Sequence, residues 1–275
     1  MLPDALPTTP DELETPSVLI NLDVMQANID RMQLHCDTLG LDFRPHIKTH
    51  KIPDIAQMQI DAGAVGIACQ KTTEAQVFAE AGFNDIQIPY NIVGSVKTRR
   101  AVDLATYNRL TVAADHTLVL AGLADAAKAM DMSLRVLLDL GTHIQRTGAR
   151  PDEILTMAER VEADESLHFA GILIYPSNAQ DRPALQETLH LLDSKGIGVD
   201  VVSGGGFGAA LEADQVPELT ELRVGTYVFG DWRSVVRGWA LTEECAMTVA
   251  ATVVYTRLNP DTIGIDADEV AEVFT

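Results

Sequence analysis

From residue 41 to residue 229 the chain repeats one grammar: a short run rich in β-branched and other apolar residues, then a longer segment with apolar residues at helical spacing. The apolar runs fall at 41–48, 64–70, 85–92, 109–115, 133–140, 167–175, 199–203 and 222–229. Between them lie helical segments at 54–62, 73–81, 95–106, 117–130, 151–163 and 182–194, and a short helix is expected near 209–214. Ala62-Gly63 and Ala81-Gly82 each close a helix just before a strand, a weak internal repeat that puts glycine where the chain turns left-handed. Pro151 suits the first turn of its helix. Strands that alternate with helices at this spacing pair in parallel. Eight such units predict an α/β fold closed into a (β/α)8 TIM barrel, with an open doubly wound sheet as the alternative.

The flanks follow other rules. Residues 1–16 carry acids and prolines, with neither a basic segment nor an apolar core of the kind a signal peptide has, and read as a lead-in. Residues 18–22 predict a strand and 23–39 a helix with Met25, Ile29 and Met32 on one face, stopped by Gly40. After Trp232 the helical pattern ends. A β-rich run at 245–257, a turn at Asn259-Pro260-Asp261 and a further strand at 262–266 follow. Two or three strands make no stable sheet alone, so the strand at 18–22 is expected to join them. The division this implies is a lead-in at 1–16, the first strand and helix at 17–40, a barrel at 41–235 and the start of a β domain at 236–275.

Composition narrows the classes of partner. With 20 basic and 40 acidic residues the formal charge is −20, a surface that repels nucleic acid and anionic membranes, so an anionic ligand needs a local positive pocket. No apolar run approaches the ~18 residues of a membrane span. Cys36, Cys69 and Cys245 are too few and too far apart for a disulfide framework or a zinc motif, which suits a reducing cytoplasm.

The polar residues at the strand ends carry the chemistry. Phe43 to Lys51 (FRPHIKTHK) holds two lysines, two histidines and an arginine in nine residues of an acidic chain, at the end of the first barrel strand. The strand at 133–140 leads into DLGTHIQRTG, with Arg146, and the strand at 167–175 ends in Tyr175. In barrels of this type the active site lies at the C-terminal strand ends, often with a phosphate site after strands seven and eight. There stand Ser203-Gly204-Gly205-Gly206 and Arg223-Val224-Gly225-Thr226. Glycines let backbone N–H groups converge on phosphate oxygens, and the Ser203 or Thr226 hydroxyl can add to them. A lysine, an arginine, an aromatic ring and a phosphate cradle on one rim are the parts a pyridoxal phosphate site needs.

RPHIKTHK, ACQKTTEA, DLGTHIQRTG, VSGGG and ELRVGTYVFGD occur in this order. Together they resemble the D-threonine aldolase and D-serine dehydratase group of alanine-racemase-like (fold type III) pyridoxal phosphate enzymes, over about residues 15–266. The resemblance implies that Lys48 forms the Schiff base, with Lys51 accessory or structural. It implies that Arg146 faces the cofactor's phenolic oxygen, that Tyr175 lies beside its ring and that Arg223 faces its pyridine nitrogen. Gly205, Gly206, Gly225 and Thr226 then fall in the phosphate-binding turns. His50 and Gln70 are candidates for the substrate pocket, with structural hydrogen bonding the alternative for each; His116 and His143 read as surface or structural. A dimer is also implied. So is a divalent metal held by a histidine and a cysteine in a C-terminal segment, but the pattern fails within IDADEVAEVFT and Cys245 has no histidine at a suitable spacing. The expected reaction is retro-aldol cleavage of a β-hydroxy-D-amino acid to glycine and an aldehyde. Dehydration of a D-serine-like substrate, or cofactor binding with little lyase activity, are the alternatives.

Overall fold

The apolar runs form one parallel sheet, although most strands are shorter than the runs that encode them. The structure, a computed structural model, describes residues 12–256 and 263–265. It divides into two compact units: residues 29–227, and the described residues up to Asn28 together with those from Val228 onward.

In the second of these units, β1 (Ser17–Ile20) leads into α1 (Leu22–Leu39), which runs on into the first. Asn21 caps the helix, its Oδ1 accepting from the Asp23 and Val24 N–H groups. The barrel unit then alternates β2 (Asp42–Phe43), α2 (Pro53–Asp61), β3 (Ile67–Ala68), α3 (Thr72–Glu80), β4 (Asp85–Asn91), α4 (Ser95–Ala105), β5 (Arg109–Ala114) and α5 (Thr117–Lys128). It continues through β6 (Leu134–Leu140), α6 (Pro151–Glu162), β7 (Leu167–Ile174), α7 (Arg182–Ser194), β8 (Val201–Gly205), α8 (Phe207–Leu211) and β9 (Glu221–Arg223). All eight strands pair in parallel, in the order β2-β9-β8-β7-β6-β5-β4-β3. The ends of that order meet: the Val65 N–H donates to the Phe43 carbonyl at 2.9 Å and the Ala68 N–H to the Pro45 carbonyl at 2.8 Å. The sheet is therefore a closed barrel, and the open alternative is set aside.

The shortened strands have local causes. The run at 41–48 holds Pro45, which has no N–H for the ladder, and the chain then tightens into a 3-10 turn at Ile47–Thr49. The run at 222–229 ends early because Thr226–Val228 forms another such turn. Gly63 and Gly82, with φ of 124° and 100°, close α2 and α3 as the repeat predicted. His116, read as surface or structural, accepts the Leu118 N–H at the start of α5.

In the other unit, β1 pairs antiparallel with β10 (Met247–Ala250), from Ser17↔Ala250 to Ile20↔Met247. The β-rich run at 245–257 holds two strands, β10 and β11 (Val253–Thr256), and β11 pairs antiparallel with β12 (Ile263–Ile265). A short helix, α9 (Trp232–Val236), precedes them and was not anticipated; its signal is Asp231, whose carboxylate accepts the Ser234 N–H at 2.7 Å. The turn expected at 259–261, most of the lead-in and the acidic end of the chain lie outside the described residues.

The tightest strand contact is at Gly171 on β7, which pairs with Val201 on β8. A Cβ there would lie 2.0 Å from the Val201 carbonyl oxygen, and φ is 136°. Gly171→Ala should lower the unfolding free energy by about 3 kcal/mol or more. Gly82→Ala, also at positive φ but with nothing within 4 Å, should lose only about 1–2 kcal/mol. Urea denaturation of the two variants checks the contrast.

Candidate active site

The C-terminal strand ends of the barrel unit enclose a pocket lined by His46, Lys48, Gln70, Tyr90, Asp139, Arg146, Thr147, Tyr175 and Arg223, with Pro89 and Leu173. Four residues expected from sequence thus meet: Lys48, Arg146, Tyr175 and Arg223, with Gln70 as a fifth.

Lys48 sits in the 3-10 turn after β2, at the pocket mouth. The turn is set by its preceding residue: the His46 imidazole Nδ1 accepts from the Lys48 N–H at 3.4 Å. It also lies hard against β9. A Cβ on Gly225 would fall 2.6 Å from Thr49 Oγ1 and 2.7 Å from the His46 carbonyl oxygen, so only glycine lets the two segments approach. The Lys48 Nζ donates to Gln70 Oε1 at 3.4 Å. Gln70 is held in turn by Glu74, whose carboxylate accepts the Gln70 N–H at 2.8 Å and pairs with Lys51 at 3.1 Å. Partial burial lowers the Lys48 pKa, the charges of Arg146 and Arg223 lower it further, and Glu74 opposes them. An amine so placed gives up its proton more readily than a surface lysine and can attack a carbonyl.

Arg146 lies between two rings, its guanidinium carbon 5.4 Å from the centre of Tyr175 and 5.8 Å from that of Tyr90. Tyr175 ends the β7 run, and its ring passes close to Gly205, where a Cβ would lie 3.3 Å from Tyr175 Cδ2 and 2.9 Å from the Arg223 carbonyl oxygen. The loops that carry these residues are clasped: Thr142 Oγ1 donates to the Tyr175 carbonyl at 2.9 Å, and His143 bonds Asp181 through both its N–H and its ring Nδ1. His143 is thus structural in its contacts.

Arg223 is buried on β9. Its Nε donates to Ser203 Oγ at 2.8 Å, and its Nη2 to the Ser203 and Ile174 carbonyls at 3.0 and 3.3 Å. Ser203 is fully buried and its hydroxyl donates to Glu221, so its side chain is committed to the barrel interior. The Gly205 N–H donates to Ser177 Oγ at 3.1 Å. Gly206, with φ of 102°, precedes α8. Thr226 is half-buried at the start of its turn. His50 lies outside the pocket lining: its Nδ1 accepts the Ile52 N–H, and its ring lies beside Gln59, which donates to the Tyr227 hydroxyl. Burial pushes the His50 pKa down to about 4, so the ring is neutral at neutral pH.

His46, Tyr90 and Asp139 line the pocket without having been singled out. Tyr90 sits near the end of the run at 85–92, where the strand-end rule points. His46 and Asp139 both stand inside motifs already noted. Burial, then the charges of Lys48 and Arg223, hold the His46 pKa well below the usual imidazole range, so it is neutral. Among the described residues no cluster of three His, Cys, Asp or Glu side chains is placed to hold a metal ion. No described helix is long and apolar enough to cross a membrane.

Burial raises the Asp139 carboxyl from 3.8 to about 6, against the lowering effects of Thr147, Arg223 and Arg146. A folded pKa above the unfolded one means the carboxylate form destabilises the fold. The penalty is absent below pH 4, grows between pH 4 and 6, and is complete above that. Asp139→Asn should therefore gain about 3 kcal/mol over wild type at pH 7, and the gain should vanish by pH 4. Denaturation curves at the two pH values test this.

Comparison with known proteins agrees with this geometry. The profile of the alanine racemase N-terminal domain matches residues 20–232. The D-threonine aldolase of Arthrobacter sp. is 32% identical over 284 residues, covering 96% of this chain and 74% of that enzyme. The D-threo-3-hydroxyaspartate dehydratase of Delftia sp. (strain HT23) is 30% identical over 264 residues, covering 88% of this chain and 68% of the relative. The crystal structure of D-threonine aldolase from Filomicrobium marinum superposes with a TM-score of 0.82 at 26% identity, over 93% of this chain and 74% of that one. The barrel, the strand-end pocket and the match across residues 20–232 lead to one conclusion: this chain belongs to the alanine racemase N-terminal domain family.

Proposed function

We propose that this chain binds pyridoxal 5'-phosphate through Lys48 and acts as a lyase on β-hydroxy-D-amino acids, in the manner of a D-threonine aldolase. The observation that carries the reading is the Lys48 amine, with its pKa lowered by burial and by Arg146 and Arg223, in a pocket walled by Tyr90 and Tyr175. The substrate class rests on the relatives, which include D-threonine aldolase, 3-hydroxy-D-aspartate aldolase and D-serine dehydratase.

The residues present suit the cofactor. A planar, anionic aromatic aldehyde needs an amine, cations and flat apolar walls, and this pocket offers one lysine, two arginines and two tyrosine rings. Pyridoxal phosphate, when bound, supplies an aldehyde that condenses with an amine and a ring that stores the electron pair released when a bond to the substrate's α-carbon breaks. The protein's part is placement and charge. Lys48 Nζ, held at Gln70 Oε1, would be the amine that holds the aldehyde, its lowered pKa favouring the neutral form that such a bond needs. Arg146, held over the Tyr90 and Tyr175 rings, would face the phenolic oxygen, and Arg223 the ring nitrogen. Tyr175 would lie beside the ring, and Gly205, Gly206, Gly225 and Thr226 would form the turns that hold the phosphate. The neutral His46 ring fixes the Lys48 backbone and adds no charge of its own. Gln70, which accepts from the Lys48 amine, would face the substrate.

Dehydration is the second reading, favoured by the hydroxyaspartate and serine dehydratases among the relatives. The same pocket serves it, with loss of the α-proton followed by the hydroxyl in place of carbon–carbon cleavage. Cofactor binding with little turnover is the third.

Protein incubated with pyridoxal phosphate should show a visible absorption band that Lys48→Ala abolishes, with turnover falling at least about a thousandfold. Supplied with a divalent cation, D-threonine should then yield glycine and acetaldehyde. Pyruvate and ammonia from D-serine, with no aldehyde from D-threonine, would select the dehydratase reading. A Lys48-dependent band with neither product would select cofactor binding alone, and no band would refute all three.

A further inference from the structure

The floor of the pocket rests on an ion array that the proposed chemistry does not use. Glu221, 4% exposed, accepts from three groups that reach it from different strands or their ends. Arg44 Nε donates to its Oε2 at 2.7 Å, while Gln87 Nε2 and Ser203 Oγ donate to its Oε1 at 3.0 and 2.5 Å. Arg44 also pairs with Asp85 at 2.7 Å, and Asp85 with Arg109 at 3.0 Å. A line of charge thus runs from the exposed Arg109 at the start of β5 through Asp85, Arg44, Glu221 and Ser203 to Arg223. A Cβ on Gly66 would fall 2.3 Å from Arg44 Nη1, so the chain gives up a side chain to admit the guanidinium.

Ions taken out of water cost stability unless each is paired, and an apolar core of equal volume would serve the fold at least as well. What this array does that an apolar core would not is hold a guanidinium at the pocket. Arg223 Nε and Nη2 are bound to Ser203 and the Ile174 carbonyl, while Nη1 has no hydrogen bond among the described residues. The Ser203 hydroxyl, by donating to Glu221, keeps its lone pairs turned toward Arg223 Nε.

We propose that Glu221 is a positioning residue: through the Ser203 hydroxyl it locks the Arg223 guanidinium so that one edge is presented to the ligand in the pocket. This rests on the proposed cofactor reading for the identity of the ligand, but not for the lock itself. Asp85, at the other end of the line, contributes to stability and not to the pocket.

The test uses the full chain and four proteins: wild type, Glu221→Gln, Ser203→Ala and Asp85→Asn. The first readout is pyridoxal phosphate binding, followed by the visible band. Glu221→Gln and Ser203→Ala should each weaken binding about tenfold, as loss of one charge-assisted hydrogen bond predicts. Asp85→Asn should bind as wild type even where its melting temperature falls as far as that of Glu221→Gln. The second readout needs no cofactor: the nitrogen-15 resonance of the Arg223 Nε–H, assigned by its loss in Arg223→Lys. It should exchange slowly with water in wild type and Asp85→Asn, and rapidly in the other two. Folded Glu221→Gln and Ser203→Ala proteins that keep both wild-type affinity and a protected resonance would overturn the proposal. Should wild type itself fail to bind pyridoxal phosphate, the cofactor reading falls and the resonance decides alone. Protection lost in Ser203→Ala and Glu221→Gln upholds the lock, and protection retained in both overturns it.

Discussion

The Glu221 carboxylate is the constraint on which the barrel's polar interior depends. It sits on a three-residue strand, and its partners come from β4, β8 and the end of β2. They lie 134, 18 and 177 positions away in the chain, in that order. Such contacts form only once the sheet has closed, and loosening any one leaves a buried charge short of a partner, which is far costlier than a lost surface pair. Burial alone would raise the Glu221 pKa, but Arg44, Ser203 and Arg223 hold it below the usual range, so it stays ionised inside the barrel.

From that fixed point the pocket is assembled outward. Arg223 stands two residues beyond Glu221 on the same strand, and so on the same face. Gly225, two further on, is bare, and the turn carrying Lys48 closes against it. Arg223 and Arg146 then flank the amine. The overall charge of −20 makes this concentration of cations conspicuous: an acidic surface surrounds a site whose own field favours anions. The local cations suit a ligand with a phosphate and a substrate with a carboxylate, and partial burial together with those cations lowers the proton affinity of Lys48.

Much of this was legible from the chain alone because the barrel places its chemistry by rule. A period of strand and helix marked the strand ends, and residues at those ends with charge or an aromatic ring included Lys48, Arg146, Tyr175 and Arg223, all of which meet in one pocket. The same rule reaches Tyr90, which stands one residue before the end of β4 and was not singled out. His50 and Ser203 show where local reading stops. Both carry the right polar groups on the right segments, yet His50 turns toward Ile52 and Gln59, and Ser203 toward Glu221 and Arg223. Nothing in a run of letters tells which way a side chain turns when its partner is more than a hundred residues distant, as with Gln87 and Glu221. Strand lengths were overread for a simpler reason. Apolar residues mark burial, and a turn such as Thr226–Val228, whose Tyr227 and Val228 are buried, needs them as much as a ladder does.

The proposed site turns on which amine takes the cofactor. Reduction with borohydride after incubation with pyridoxal phosphate, followed by digestion and mass spectrometry, locates the covalently trapped group. The account predicts a single adduct on the peptide containing Lys48. An adduct on Lys51 or any other lysine with Lys48 unmodified would contradict it.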